Sequence, residues 1–259
     1  MAKADPSDAN QASHREAAQP TRLRRVSREE LVQILTVHRR YLETNRRQGK
    51  RGNLAATDLA GHDFSDAVLR RMKLYHALLR SANLAGADLR QANLVGSDLE
   101  HACLTRADLG GARMSGANLE GAHLEGAVLI AADLEFAVMR KTVLRQARLR
   151  GADMSGVNLD DADLRDADLG EVNLRGASLR RTQLDGADLR AARLGGAFLS
   201  GATLRKADLR GAYLRVAWLD GADLSDADLR DAQGLVRAQL AAALYLTNAR
   251  LPTALADGQ

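Results

Sequence analysis

Few residues in this 259-residue sequence are of a type that does chemistry. Cys103 is the single thiol, and His123 follows it twenty positions later. A thiol beside an imidazole is a nucleophile with its base, but it also needs an orienting group, an oxyanion site and a pocket. Asn83 and Val143, the next residues along the same twenty-residue spacing, supply none of these. His62, His76, His101 and His123 lack any metal-ligand spacing. No Gly-rich phosphate cradle of the GxGxxG or P-loop type is present. Gly86, Gly116, Gly126 and Gly186 instead fall where turns are expected, and turn geometry accounts for them. The sequence therefore points away from an enzyme, a cofactor and a resident metal.

The element that positions all these residues is a five-residue period. From Leu54 to Leu229, thirty-six consecutive positions five apart hold Leu, except Phe64, Met114, Met139 and Met154. A small residue, most often Ala, sits two positions before each. Five steps of ~100° carry each Leu roughly 140° around a helix from the last, so no helical face collects them. Short extended segments do, because residues two apart share a face and both Ala and Leu can point inward. The two remaining positions, rich in Gly, Ser, Asp and Arg, suit a tight turn.

The units Ala82-Asn83-Leu84, Ala87-Asp88-Leu89, Ala167-Asp168-Leu169 and Ala222-Asp223-Leu224 resemble those of the bacterial pentapeptide-repeat proteins, and the resemblance spans residues 52 to 233. It implies an all-β solenoid, a right-handed quadrilateral parallel β-helix of about nine coils with short flanking α-helices. Four units then make one coil, so residues twenty apart stack in columns. At a ladder spacing of ~4.8 Å the rod is about 43 Å long.

Both open ends of such a ladder need covering. Ser27-Arg28-Glu29-Glu30 reads as a capping box opening a helix of about 18 residues. Leu31, Ile34, Leu35 and Leu42 face the first coil or a second chain. After the repeat, Gly234-Leu235 breaks the phase and Gln239 to Leu246 reads as a short helix ended by Pro252. The expected organisation is a disordered leader (1–22), a basic amphipathic cap (23–50), the repeat rod (51–233) and a capping helix with tail (234–259).

The formal charge of +4 is unevenly spread. Residues 1–50 carry +5 and residues 51–231 carry −2. Arg39, Arg40, Arg46 and Arg47 form a possible basic contact around the first helix, but no nucleic-acid reading motif accompanies them, and a solvated helix face is expected. Some family members protect DNA gyrase or topoisomerase IV by presenting a duplex-like acidic rod. Here Asp88, Asp108, Asp168, Asp188, Asp208 and Asp228 stand in one column beside Arg70, Arg90, Arg150, Arg190, Arg210 and Arg230, which argues against mimicry of an unpaired phosphate backbone.

Apolar residues at outward positions are the remaining candidates. Phe198, Tyr213, Val216 and Trp218 gather near the C-terminal end as a possible partner contact, and Ile130, Phe136 and Val138 form a weaker group near the middle, beside Val128 and Val143. No apolar run of about 18 residues exists to span a bilayer, and residues 1–22 lack a secretory h-region. The expectation is a non-catalytic, cytoplasmic protein–protein interaction rod, with homodimerisation through a terminal helix one option.

Overall fold

A computed structural model describes residues 23–256 of the chain. The proposed leader, residues 1–22, lies outside the described residues.

Every outward residue immediately before a core Leu bridges in parallel to the residue twenty positions on, from Asn53↔Lys73 through Phe198↔Trp218 to Tyr213↔Gln233. Each core residue from Leu54 to Leu214 donates its N–H to the carbonyl nineteen residues ahead, as Leu54 does to Lys73 at 2.8 Å. Four such segments complete a circuit, which gives four walls of stacked rungs. The core residues from Leu54 to Leu229 are buried, as are nearly all the small residues two before them. Burying each Leu stabilises the fold by roughly 1.5–3 kcal/mol, and the rungs place them in continuous interior columns.

From Leu59 onward each corner is closed by a hydrogen bond from the residue three after a core residue, such as Ala82 N–H to the Leu79 carbonyl at 3.0 Å. The residue before that donor has positive φ at every corner from Ala56 to Asp231, as a type II turn requires at its third position. Glycine fills fifteen of these thirty-six corners and other residues fill twenty-one. Turn geometry alone therefore does not explain the glycines. A second cause is space: a Cβ on Gly156 would lie 2.5 Å from the Phe136 ring, and one on Gly96 2.6 Å from His76 Nδ1, each contact coming from the corner one coil earlier.

The N-terminal cover consists of β1 (Arg24–Arg25), α1 (Arg28–Glu43) and β2 (Thr57–Asp58), with β1 pairing in parallel to β2. Ser27 accepts the Glu30 N–H at α1's start, and Leu31, Ile34 and Leu35 pack on the core. His38 is fully buried beneath the helix, between the Gly52 N–H and the Arg70 carbonyl.

The C-terminal cover departs from the sequence expectation. The helix is α2 (Arg237–Ala242), four residues short of Leu246, and Pro252 precedes a further turn of helix, α3 (Thr253–Ala256), rather than ending one. Between them the chain rejoins the ladder, with Asp223↔Tyr245 and Asp228↔Arg250 bridged at a spacing of twenty-two. The two extra residues are the length that α2 adds to the circuit. Among the described residues no helix is long and apolar enough to cross a membrane.

Candidate interaction surface

Cys103 and His123 are bridged neighbours in one column, with Asn83 and Val143 on either side. Their side chains turn along their own strands. Cys103 Sγ lies 3.6 Å from Thr105 Oγ1, and His123 Nδ1 lies 3.3 Å from Glu125 Oε1. Glu125 is thus an orienting group that the sequence reading missed, two residues on from His123. The arrangement is on an outer wall, with Cys103 partly buried and His123 exposed. No group of three metal-binding side chains occurs among the described residues.

Most of the acid and base columns neutralise each other; Asp168 joins no ion pair among the described residues, and Arg150 pairs with Glu171 instead. Asp88 accepts from Arg90 of its own strand and from Arg70 of the preceding coil, both at 2.7 Å. Burial alone would raise its pKa, but the hydrogen bonds from Arg90 and Arg70 outweigh it and hold the carboxyl far below the usual range. Arg190–Asp188, Arg210–Asp208 and Arg230–Asp228 repeat the same-strand pair at 2.5, 2.6 and 2.6 Å. A second wall does likewise. Asp163 is held at about 2 because Arg165 and Arg145 outweigh its burial, and Arg205 pairs with Asp223 at 2.7 Å. That second set was legible only by reading Arg145, Arg165 and Arg205 as a column one corner away from the first.

The basic candidates sit at the N-terminal cover. Arg39 and Arg40 are exposed on α1, and Arg46 and Arg47 on the turn after it. Arg40 Nε donates to Gln48 at 2.9 Å, and Arg39 borders a groove with Leu42, Glu43, Val68 and Arg70.

The apolar candidates divide by wall. Phe136 is a corner residue, 69% exposed, and Val138 follows it on the next wall, whereas Ile130 lies half-buried on the wall of the Asp88 column. At the C-terminal end Phe198 and Trp218 stack with centroids 6.2 Å apart and planes at 22°. Val216, 68% exposed, is the corner beside Trp218, itself 56% exposed. Tyr213 lies one wall away, its ring against Gly195. A groove of about 270 Å³ separates Val216–Asp220 from Ala238, Gln239 and Ala242 of α2. Gln239 forms its floor, donating to the carbonyls of Leu214 and Ala217 at 2.9 and 2.8 Å. The Ala217 carbonyl ends the ladder on this wall, and the amide takes the place of a next coil there, while the Leu214 carbonyl also accepts the corner N–H of Ala217 at 3.0 Å.

A rod of five-residue units bridged at a spacing of twenty, with paired surface charges, defines a repeat solenoid. The pentapeptide-repeat family model matches eight copies over residues 73–111, 107–146, 144–181, 182–215 and 207–243, and the chain belongs to this family. A crystal structure of HetL, a pentapeptide-repeat protein involved in heterocyst differentiation regulation from the cyanobacterium Nostoc sp. strain PCC 7120, is 34% identical over 87% of this chain and 94% of its own, with a TM-score of 0.41. The alr5209 pentapeptide-repeat protein from Nostoc PCC 7120 is 36% identical over 43% of this chain and 85% of its own, with a TM-score of 0.23. Full-length QnrB1, a plasmid-mediated fluoroquinolone resistance protein, is 20% identical over 61% of this chain and 86% of its own, with a TM-score of 0.30. No curated protein matches the sequence.

Proposed function

We propose that this protein is a non-catalytic cytoplasmic scaffold, a right-handed quadrilateral rod of about nine coils that docks a protein partner through its C-terminal aromatic end. In this reading residues 23–50 cap the rod, residues 51–233 form it and residues 234–259 close it. The observation that carries the reading is Trp218, a large aromatic left 56% exposed beside Val216, stacked on Phe198 and lining a groove against α2. Exposed aromatics at a groove are the usual anchors of protein contact. Phe198 supports Trp218 from beneath, and Tyr213 extends the apolar surface around the corner.

The paired carboxylates support this reading over a gyrase-binding duplex mimic. Asp88, Asp188, Asp208 and Asp228 each meet an arginine, so the wall lacks the unpaired negative surface of a phosphate backbone. The test is affinity capture on the immobilised full chain, with light scattering to detect a homodimer. A partner retained by the wild type and lost with Trp218→Ala, at unchanged melting temperature, supports the proposal. Capture indifferent to Trp218→Ala, or turnover of a substrate by the purified chain, overturns it.

A further inference from the structure

The aromatic column begins on a cation. Arg180 holds its guanidinium carbon 4.6 Å from the centroid of the Phe198 ring, and Phe198 stacks on Trp218. The inner end of the column is therefore closed by a positive charge, and its outer end, the Trp218 ring, is open. Asp220 stands two residues further on and projects from the same wall, as alternate residues of an extended segment do. Trp218 and Asp220 both line the groove against α2. Asp220 is exposed and joins no ion pair among the described residues, unlike Asp88, Asp163, Asp188, Asp208, Asp223 and Asp228 on the other walls. An indole face beside an uncompensated carboxylate, at the mouth of an apolar groove, selects a cation carried on an apolar stem.

We propose that this groove binds an arginine side chain presented by a partner protein, with the guanidinium on Trp218, Asp220 as its counter-ion and the methylenes between Val216 and Ala238. Arginine fits better than lysine because its planar group both stacks on an aromatic ring and pairs in bidentate fashion with a carboxylate. The contact would repeat, one step outward, the packing of Arg180 on Phe198. It rests on the docking reading above and specifies the chemistry of the partner.

Trp218 is the chain's only tryptophan, so its emission reports directly on the groove. The full chain is titrated with the peptide acetyl-Ala-Leu-Arg-Leu-Ala-amide and with its citrulline counterpart, which is neutral and nearly isosteric. The expected result is a saturable change with the arginine peptide. Binding weakens about five- to tenfold on citrulline replacement and on Asp220→Asn, in keeping with a cation–π contact plus one charge pair, and it weakens further with added salt. No saturable change, equal binding of the two peptides, or equal binding by Asp220→Asn overturns the inference. Concentration-dependent Trp218 emission together with a dimer mass by light scattering, in the absence of peptide, would assign the groove to a second copy and also overturn it. The two readings fail separately. A partner lost with Trp218→Ala but kept by Asp220→Asn leaves the docking surface standing without the arginine, whereas capture indifferent to both variants removes the docking surface itself.

Discussion

The Gly52 N–H donates to Nδ1 of His38 at 3.0 Å, and this single contact sets the tautomer of a fully buried imidazole. A backbone N–H can only donate, so Nδ1 is the acceptor and the ring proton sits on Nε2, where it donates to the Arg70 carbonyl at 2.9 Å. The ring ties α1 to the start and the end of the first coil through both of its nitrogens. Adding a second proton would set two N–H groups against each other at Gly52.

This geometry makes the N-terminal cover sensitive to acid. Burial depresses the His38 pKa, with the positive charge of Arg51 acting in the same direction and the Arg70 carbonyl opposing. The folded state therefore binds fewer protons than the unfolded state once pH falls below the ordinary histidine value of about 6.5, and stability drops by up to about 1.4 kcal/mol per pH unit there. Protection factors of the α1 amides, taken relative to intrinsic exchange at each pH between 8 and 5, should fall below about pH 6.5 in the wild type. His38→Ala, which leaves the Gly52 N–H and Arg70 carbonyl without their partner, should loosen α1 at all pH values and remove that pH step. A wild-type profile as flat as the variant's would contradict the assignment.

Gly234 and Gly211 share positive φ but not surroundings. A Cβ on Gly234 would lie 2.8 to 3.0 Å from Arg215 Cβ, Cα and N, whereas nothing stands within 4 Å of one on Gly211. Gly211→Ala should cost only the left-handed conformation, about 1 kcal/mol, which Ala191 already tolerates at the same kind of corner. Gly234→Ala adds overlap with atoms that cannot swing aside and should cost about 1–3 kcal/mol more. Comparison of the two melting curves decides this.

The period of five made the interior legible before any coordinates, because each core Leu repeats in phase and only an extended segment with a corner accommodates that. The α1 cap was legible from Ser27 and Glu30. His38 was not singled out, although it falls seven residues after Leu31 on the same helical face; a lone histidine gives no sign that two backbone groups await it. The return to the ladder was hidden for a different reason. Leu246 and Leu251 keep the spacing of five, but the insertion of α2 moves them two residues out of phase with Leu229, and an in-phase search stops there. Pairing across coils, as between Arg145 and Asp163, depended on side-chain reach at a separation of 18 residues, which a column of twenty does not display.

Asp163 should make the rod sensitive to acid, unlike a carboxylate whose pKa is the same folded and unfolded and which contributes no pH dependence. Its folded pKa of about 2 lies below the unfolded value, so its contribution is fully present above about pH 4 and is lost as pH falls toward 2. Arg145 and Arg165 are 54% and 38% exposed, so solvent screening limits the contribution to about 1 kcal/mol. Asp163→Asn should therefore lower the melting temperature at pH 7, and the gap to the wild type should close by pH 2. A gap that persists unchanged at pH 2 would place the effect in packing rather than in charge.

Thr203 and Thr182 carry the same hydroxyl in opposite circumstances. Thr182 Oγ1 is buried and donates to the Leu159 carbonyl at 2.9 Å. Thr203 Oγ1 is shut off from solvent without a hydrogen-bond partner. Its strand is otherwise complete, with the Thr203 N–H on the Thr182 carbonyl and its own carbonyl accepting from Leu184. Valine has nearly the shape of threonine, so the substitution tests the hydroxyl alone. Removing an unsatisfied buried group should stabilise the rod by about 1 kcal/mol, and removing a satisfied one should cost about as much. Thr203→Val is thus expected to melt a few degrees higher than the wild type and Thr182→Val a few degrees lower. If Thr203→Val melts lower as well, its hydroxyl has a partner in solution, and the wall around Gln183 and Asp223 is packed differently from the arrangement described here.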